Sequence, residues 1–225
     1  MKSDRRVSVV LAGYNEEDHI NRAMQETYDA LDENFKTFEL ILVDDASKDR
    51  TLDDMNRFAQ DHPNVVVLPN YVNLNFGTSV LRGMLSAKYD YITFNACDLP
   101  VRTLDLMKLL MTMPKNKDVL VMQRTNYLST KRRSVTSKVN QVLLAFLFPV
   151  LTKGTPVLNY TQIYKREALH KIVPFARSPI FVWPELIFRA KLAKLEVINI
   201  PVRCNVENLR KGSFGYPHDI IWGGI

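Results

Sequence analysis

The feature that most constrains the fold of this chain is an apolar strand that ends in two carboxylates. Residues 40–43 are consecutive apolar residues, Asp44 and Asp45 follow directly, and a small polar turn leads into a helix-like stretch from Thr51. In an open parallel α/β sheet, ligands bind where strands end and helices begin. Two acids at such a place are suited to receive donor groups of a base or a ribose. Asp and Ser also cap helices, so the motif alone is compatible with a capped turn.

A second strand-like segment, residues 91–94, also ends in polar side chains. Asp98 offers a carboxylate and Asn95 an amide oxygen, which are the hard donors that Mg²⁺ prefers, whereas Cys97 is a soft ligand. Mg²⁺ commonly binds through one or two carboxylates together with substrate phosphates. We therefore expect Asp98 to be the metal ligand for Mg²⁺ or Mn²⁺.

Strand-like and helix-like stretches alternate through the first half of the chain. The predicted strands are residues 7–12, 38–43, 65–68, 91–94 and 119–122, and the predicted helices are 16–31, 51–60, 79–87 and 103–113. Short strands joined by helices indicate an α/β fold with a doubly wound, mostly parallel central sheet and helices on both faces. The second half is less regular, with predicted helices at 134–148 and 181–195, a strand at 157–164 and an edge strand at 196–202.

The composition is that of an ordinary globular protein. Hydrophobic residues make up 46% and charged residues 24% of the 225 residues, and no repeat or linker divides them. We expect a single domain over residues 1–225, with a nucleotide-binding half at about 1–123 and an acceptor half at about 124–225. Two cysteines form no disulfide framework, and neither a signal peptide nor a long apolar span is evident, so we expect a cytoplasmic protein.

The net charge of +6 is modest, and no nucleic-acid recognition motif accompanies it. We therefore expect no nucleic-acid partner. The basic residues are nevertheless clustered: Arg124, Lys131, Arg132, Arg133 and Lys138 in one segment, and Arg203, Arg210 and Lys211 in another. Such clusters are often solvated surface, but they also suit phosphates on a ligand or at an anionic lipid surface.

Two further loops are candidate ligand contacts. The first strand ends in Ala12-Gly13-Tyr14-Asn15-Glu16, where Asn15 is equally suited to cap a helix. The run 73–83 opens a helix with small residues and would leave backbone N–H groups near a phosphate, although a capped helix start explains it too. This run is neither a P-loop nor a dinucleotide-binding fingerprint.

Taken in this order, these segments resemble the family 2 glycosyltransferases, which have the GT-A fold. Asp44-Asp45-Ala46-Ser47 resembles the base-binding signature, in which the second aspartate contacts the base. Asp98-Leu99-Pro100 matches the end of the metal motif, Ala96 replaces its first aspartate, and Asn75 stands where a glycine is common. The resemblance implies a UDP- or GDP-sugar donor and a nucleotide site formed by the following residues: Ala12, Tyr14, Asn15, Glu16, Asp44, Asp45, Asn73, Gly77, Arg82, Asn95, Ala96 and Cys97.

Within that family, the basic segments look most like those of polyprenyl-phosphate glycosyltransferases, where they contact the diphosphate or the acceptor phosphate. The resemblance implies inverting transfer to a lipid phosphate. Because the metal motif is incomplete, we expect Arg132, Arg133 or Arg210 to stabilise the leaving group. The predicted helix 134–148 has a basic amino half and an apolar carboxyl half, which suits peripheral contact with the cytoplasmic face of a membrane as well as burial in a core.

Two alternatives remain open. In the first, the acceptor is a hydroxyl of a saccharide or small molecule, and Glu185, after Trp183-Pro184, is the general base. Glu185 is also explained as a first-turn glutamate favoured by the helix dipole. In the second, the chain binds nucleotide sugars and has little catalytic activity.

Overall fold

The computed structural model describes residues 1–125, 161–173 and 182–203. The described strands are β1 (Ser3–Gly13), β2 (Phe35–Asp44), β3 (Val65–Pro69), β4 (Tyr91–Ala96), β5 (Val119–Arg124), β6 (Gln162–Lys165) and β7 (Val197–Val202). The described helices are α1 (Ile20–Asn34), α2 (Thr51–Asp61), α3 (Asn75–Ser86), α4 (Thr103–Thr112), α5 (Arg166–Lys171) and α6 (Val182–Leu192).

The strands of the described residues form one seven-stranded sheet in the order β3-β2-β1-β4-β6-β5-β7. The pairs β3-β2, β2-β1, β1-β4 and β5-β7 are parallel, whereas β6 runs antiparallel to both of its neighbours. β1 and β2 lie inside the sheet and are buried on both faces, which explains why they are continuous apolar runs rather than alternating ones. The predicted edge strand at 196–202 is confirmed as β7.

Two hydrophobic clusters cover the two faces of the sheet. Val9 and Leu11 of β1 pack with α1, α2 and α4 on one face, while Val10 and Ala12 pack with α3, α5 and α6 on the other. This arrangement follows from the alternation of side chains along a strand. The predicted α/β fold with a mostly parallel, doubly wound sheet is confirmed.

Several predicted bounds were wrong. α1 begins at Ile20 rather than at residue 16, since residues 17–19 form a turn in which the His19 N–H donates to Glu16 O. α3 begins at Asn75 rather than at residue 79, and the short helix α5 was not predicted. Only the end of the predicted strand 157–164 is described, as part of β6, and the predicted helix 134–148 lies outside the described residues.

No helix in the described ranges combines the length and apolar character needed to cross a membrane.

Candidate active site

A cleft of about 210 Å³ opens at the carboxyl ends of β1, β2 and β4. These strands are adjacent and parallel, with Ala12 in register with Val43 on one side and with Ala96 on the other, so their ends meet at one edge of the sheet. The cleft is lined by Ala12, Gly13, Tyr14, Glu16, Asp45, Phe76, Ser79, Ala96, Cys97 and Asp98. Two aspartates from different strand ends therefore border the same space.

Asp45 is held rigidly from the loop between β3 and α3. Its side chain is only 3% exposed, and its Oδ1 accepts hydrogen bonds from the backbone N–H of Leu74 at 2.7 Å and from Nδ2 of Asn70 at 2.8 Å. Its backbone N–H donates to Gly13 O at 2.9 Å. Hydrogen bonds of this kind to a carboxylate are stronger than neutral ones, so the Asp45 side chain has a defined orientation.

Asp44, by contrast, does not line the cleft. Its side chain is 1% exposed, and its Oδ2 accepts a hydrogen bond from the backbone N–H of Ser47 at 3.2 Å. Its Oδ1 is buried and has no hydrogen-bond partner among the described residues. Within the acidic pair, only Asp45 reaches the cleft, and Asp44 shapes the turn that follows β2.

The β3–α3 loop contains a polar network that the sequence analysis did not identify. Asn70 is 9% exposed and donates through Nδ2 both to Asp45 Oδ1 and to Ser79 Oγ at 2.8 Å. Arg82 donates through Nη1 to Pro69 O at 3.0 Å and to Oδ1 of Asn70. Arg82 therefore supports the loop and does not line the cleft. The signal for Asn70 was its position directly after a strand, at the edge of the sheet where Asp45 lies.

The β1–α1 loop contributes Tyr14 and Glu16 to the cleft, but not Asn15. Asn15 has a positive φ of 54° and accepts a hydrogen bond through Oδ1 from the backbone N–H of Lys48 at 2.8 Å. Its own backbone N–H donates to Ser47 Oγ at 3.0 Å. Asn15 therefore does not cap a helix. Its two hydrogen bonds connect the loop after β1 to the loop after β2.

The side chain of Asp49 makes a second hydrogen-bonded connection between the same two loops. Its Oδ2 accepts from the backbone N–H of Glu17 at 3.2 Å, and its Oδ1 accepts from the hydroxyl of Thr51 at 2.6 Å and from the Thr51 backbone N–H at 3.0 Å. Burial acts to raise the pKa of Asp49, but these hydrogen bonds outweigh it and hold the pKa below its usual value. An ionised carboxylate therefore helps to hold together the loops after β1 and β2, which both contribute residues to the cleft.

The end of β4 approaches β1 closely. Cys97 Sγ lies 3.3 Å from Ala12 O, and a Cβ added to Gly13 would lie only 3.2 Å from that sulfur, so a glycine suits this crossing. Asn95 is 1% exposed and donates through Nδ2 to Val101 O at 2.8 Å. Asn95 thus shapes the turn, while Ala96 and Asp98 border the cleft.

The donors at this strand end fit a divalent cation only together with a substrate. Among the described residues, no group of three or more His, Cys, Asp or Glu side chains is placed to hold a metal ion. Asp98 supplies one carboxylate, and Ala96 supplies none. Because Mg²⁺ ordinarily takes one or two carboxylates and completes its shell with phosphate oxygens and water, this donor set fits an ion bound jointly with a diphosphate.

Two asparagines of the run 73–83, Asn73 and Asn75, shape the start of α3. Asn75 has a positive φ of 67°, a conformation that asparagine tolerates better than most residues, which accounts for its place where a glycine is common. Asn73 is exposed, and its Oδ1 accepts a hydrogen bond from the Asn75 backbone N–H at 3.0 Å. Gly77 is buried but does not line the cleft, whereas Phe76 and Ser79, which were not predicted individually, do.

Glu185 lies near the start of α6 and does not line the cleft. Its Oε1 accepts a hydrogen bond from Arg189 Nε at 2.6 Å, and both side chains are partly exposed. The neighbouring Trp183 is 2% exposed and stacks on Phe94 of β4, with ring centroids 4.3 Å apart, so the start of α6 is fixed against the sheet. The predicted leaving-group residues Arg132, Arg133 and Arg210 lie outside the described residues.

Two curated proteins that this chain resembles are transferases by name. A dolichyl-phosphate beta-glucosyltransferase of Trichomonas vaginalis is 25% identical over 217 residues, which cover 88% of this chain and 65% of the relative. An undecaprenyl-phosphate 4-deoxy-4-formamido-L-arabinose transferase of Photorhabdus laumondii is 27% identical over 142 residues, which cover 62% of this chain and 43% of the relative. The chain thus spans about two thirds or less of the length of these curated relatives.

Solved structures share the fold. A mannosyltransferase of Pyrobaculum calidifontis in complex with GDP-Man and Mn²⁺ has a TM-score of 0.67 at 17% identity, with 94% of this chain and 59% of that chain covered. A glucosyl-3-phosphoglycerate synthase of Mycobacterium tuberculosis in complex with UDP has a TM-score of 0.65 at 21% identity, with 96% of this chain and 75% of that chain covered. The model of the family described as Glycosyl transferase family 2 matches residues 8–176. The chain belongs to glycosyl transferase family 2 and has the GT-A fold.

Proposed function

We propose that this chain transfers a sugar from a nucleoside-diphosphate sugar, with inversion, to the phosphate of a polyprenyl-phosphate lipid. The observation that carries the proposal is that Asp45 and Asp98, from the ends of two different parallel strands, line one cleft. The names of the curated relatives, which are dolichyl-phosphate and undecaprenyl-phosphate transferases, support a lipid-phosphate acceptor.

In this proposal, the donor base meets Asp45 and the diphosphate meets Asp98. Ala12, Tyr14 and Glu16 border the nucleotide between these two carboxylates. Asp98 would hold Mg²⁺ or Mn²⁺ jointly with the diphosphate, and the ion would neutralise negative charge on the leaving group. Two solved neighbours with Mn²⁺ or Mg²⁺ and a nucleotide are consistent with such an ion.

The predicted leaving-group residues are part of the proposal. Because Ala96 removes one carboxylate of the metal motif, Arg132, Arg133 or Arg210 would supply the remaining positive charge as the nucleoside diphosphate departs. Loss of one preorganised donor of this kind typically costs about 2.7–4 kcal/mol of transition-state stabilisation.

A phosphate acceptor removes the need for a general base. A phosphate monoester is ionised near neutral pH, so its oxygen can attack the anomeric carbon without losing a proton to the protein. Arg189 holds Glu185 Oε1 at 2.6 Å, an arrangement typical of a helix ion pair. A hydroxyl acceptor would instead require Glu185 to accept the acceptor proton.

We also propose that residues 1–225 form one domain, with a nucleotide-binding half at about 1–123 and an acceptor half at about 124–225. A cytoplasmic protein that touches the membrane peripherally through residues 134–148 would meet a lipid phosphate at the interface. The modest net charge of +6 and the absence of a recognition motif from the sequence favour no nucleic-acid partner.

The proposal is tested by transfer assays that separate a phosphate acceptor from a hydroxyl acceptor. The protein is incubated with labelled UDP- or GDP-sugars and Mn²⁺, with either farnesyl phosphate or farnesol. We expect product only with farnesyl phosphate. Asp45→Ala should weaken donor binding by about 10- to 100-fold, the loss of a hydrogen bond to a charged group. Asp98→Asn should raise the Mn²⁺ concentration needed for half-maximal transfer.

Two control variants sharpen the result. Asp18→Asn changes an exposed acid of the β1–α1 loop that does not line the cleft, and it should leave donor binding unchanged. Glu185→Gln should retain transfer to farnesyl phosphate. Transfer to farnesol or a saccharide that Glu185→Gln abolishes would show a hydroxyl acceptor, and donor binding with neither hydrolysis nor transfer would show a nucleotide-sugar-binding protein.

A further inference from the structure

The two oxygens of the Asp45 carboxylate differ in their bonding. Oδ1 accepts from Leu74 N at 2.7 Å and from Asn70 Nδ2 at 2.8 Å. Oδ2 accepts no hydrogen bond from the residues that the structure describes, and Asp45 lines the cleft. A carboxylate oxygen has two lone-pair sites, so Oδ1 is saturated and Oδ2 is the oxygen left for a ligand.

Asn70 cannot rotate its amide to release Oδ1. The guanidinium of Arg82 has donors only, and it contacts the oxygen side of the Asn70 amide. The NH₂ side must therefore face Asp45 and the hydroxyl of Ser79. The orientation of this amide is therefore decided by the chemistry of its neighbours.

A single available acceptor distinguishes between two kinds of base. The Watson–Crick edge of uracil carries one N–H donor between two carbonyl groups, which one carboxylate oxygen satisfies. The edge of guanine carries two adjacent donors, N1–H and the N2 amine, which match both oxygens of a carboxylate side by side. With Oδ1 saturated, one guanine donor would be left without a partner on entering the site, which is costly.

We propose that Asn70 is a specificity-determining positioning residue that limits Asp45 to one acceptor oxygen and thereby selects a uracil-type base over guanine. This inference rests on the proposed function, because it concerns the donor nucleotide of that same cleft. Asn70 acts through Asp45, and its effect is on which nucleotide is bound rather than on the transfer step.

The unmodified protein provides the first test, by calorimetry with UDP, GDP and IDP in the presence of Mn²⁺. We expect UDP to bind at least about 10-fold more tightly than GDP, from one unpaired donor. IDP lacks the N2 amine, so GDP should have no advantage over IDP. Methylation of uracil N3 should weaken UDP binding by about 10-fold or more. GDP binding as tight as that of UDP, or about 10-fold tighter than that of IDP, would overturn the inference.

Asn70→Ala provides the second test, with Asn21→Ala as its matched control. Asn21 also donates through Nδ2 to an aspartate, Asp54 Oδ2 at 3.0 Å, but on α1 and away from the cleft lining. Asn70→Ala frees a lone pair on Asp45 Oδ1, so the preference for UDP over GDP should fall by about 5-fold or more, while Asn21→Ala should leave it unchanged.

The outcomes separate this inference from the proposed function. An unchanged UDP/GDP ratio in a folded Asn70→Ala variant would overturn the role of Asn70 and leave the transferase proposal standing. A ratio compares two ligands on one protein sample, so partial unfolding does not alter it. If Asn70→Ala fails to fold, the comparison of GDP with IDP on the unmodified protein decides the inference. Failure of all the nucleotides to bind would overturn both proposals.

Discussion

Gly83 lies where α3 packs against the sheet, and its replacement by alanine tests how closely the helix approaches. A Cβ at this position would lie 2.6 Å from Val10 Cγ1 and 2.9 Å from Val43 Cγ2, well inside the 3.4 Å at which ordinary contact begins. Both valines are fully buried, and β-branched side chains in a sheet have little rotamer freedom. The helix itself would therefore have to move away from β1 and β2.

The expected cost is the difference of two effects. Overpacking a well-packed core costs about 1–3 kcal/mol, whereas alanine gains about 1 kcal/mol over glycine within a helix. Because both contacts are shorter than 3.0 Å and both valines are rigid, we expect the overpacking cost to lie in the upper part of its range, at about 2–3 kcal/mol. After the gain of alanine over glycine, Gly83→Ala should lower the free energy of unfolding by about 1–2 kcal/mol, and at about 2–4 °C per kcal/mol this lowers Tm by about 2–8 °C. Donor binding should weaken as well, because Phe76 and Ser79 on the same helix line the cleft.

Thermal unfolding and urea titration measure this change, with Glu33→Ala as the control on an exposed position of another helix, α1. Surface changes of that kind usually remain within about 0.5 kcal/mol. In the double variant Gly83→Ala/Val10→Ala, the space left by Val10 should absorb the new methyl group, so the two changes should cost less together than their sum. A Tm equal to or above that of the unmodified protein would refute the close approach of α3.

Two other perturbations test the hydrogen bonds of Asp49 and of Arg5. The low pKa of Asp49 means that its carboxylate stabilises the fold above the unfolded pKa of about 3.9, and that this contribution is lost as the pH falls through the lower folded pKa. Asp49→Asn should therefore lower the urea midpoint at pH 7 and lower it less at pH 3, with Asp61→Asn, a change at an exposed position of α2, as the control. Equal losses for Asp49→Asn at both pH values would contradict the assignment. Arg5 donates to Leu110 O at 2.8 Å and to Met113 O at 2.7 Å at the end of α4, so Arg5→Ala should cost about 2 kcal/mol in urea unfolding. Arg6→Ala, which removes a solvent-exposed ion pair, should change stability much less, and equal effects of the two would argue against the role of Arg5.

Most strands were predictable because each is a local run of apolar residues bounded by polar ones. The helix starts were less predictable. The acids and the asparagine after β1 look like a helix cap, yet Asn15 instead accepts a hydrogen bond from Lys48, a residue of the next loop. A helix cap and a hydrogen bond between two loops use the same residue types. Only the position of the second loop shows which of the two is formed.

The direction of β6 could not be predicted from a local pattern either. Strand residues have the same alternation whether their neighbours run parallel or antiparallel, so the sequence indicates a strand near residue 162 but not its antiparallel place between β4 and β5. The sheet order depends on long-range pairing, which leaves no signature in a single segment.

An alternating α/β protein with carboxylates at the ends of two strands can be recognised from local sequence, because those features depend on adjacent residues. Long-range packing is needed to place Asp45 at the cleft and to turn Asp44 toward the following loop. The packing of the chain also brings Asn70 against Asp45 and Arg82 against Asn70, and these hydrogen bonds join residues from the ends of two strands and from a helix. Hydrogen bonds between residues so far apart in the chain form only when the sheet brings the strand ends together. For that reason the residues that give the cleft its chemistry could be found in the sequence, whereas the geometry of the cleft could not.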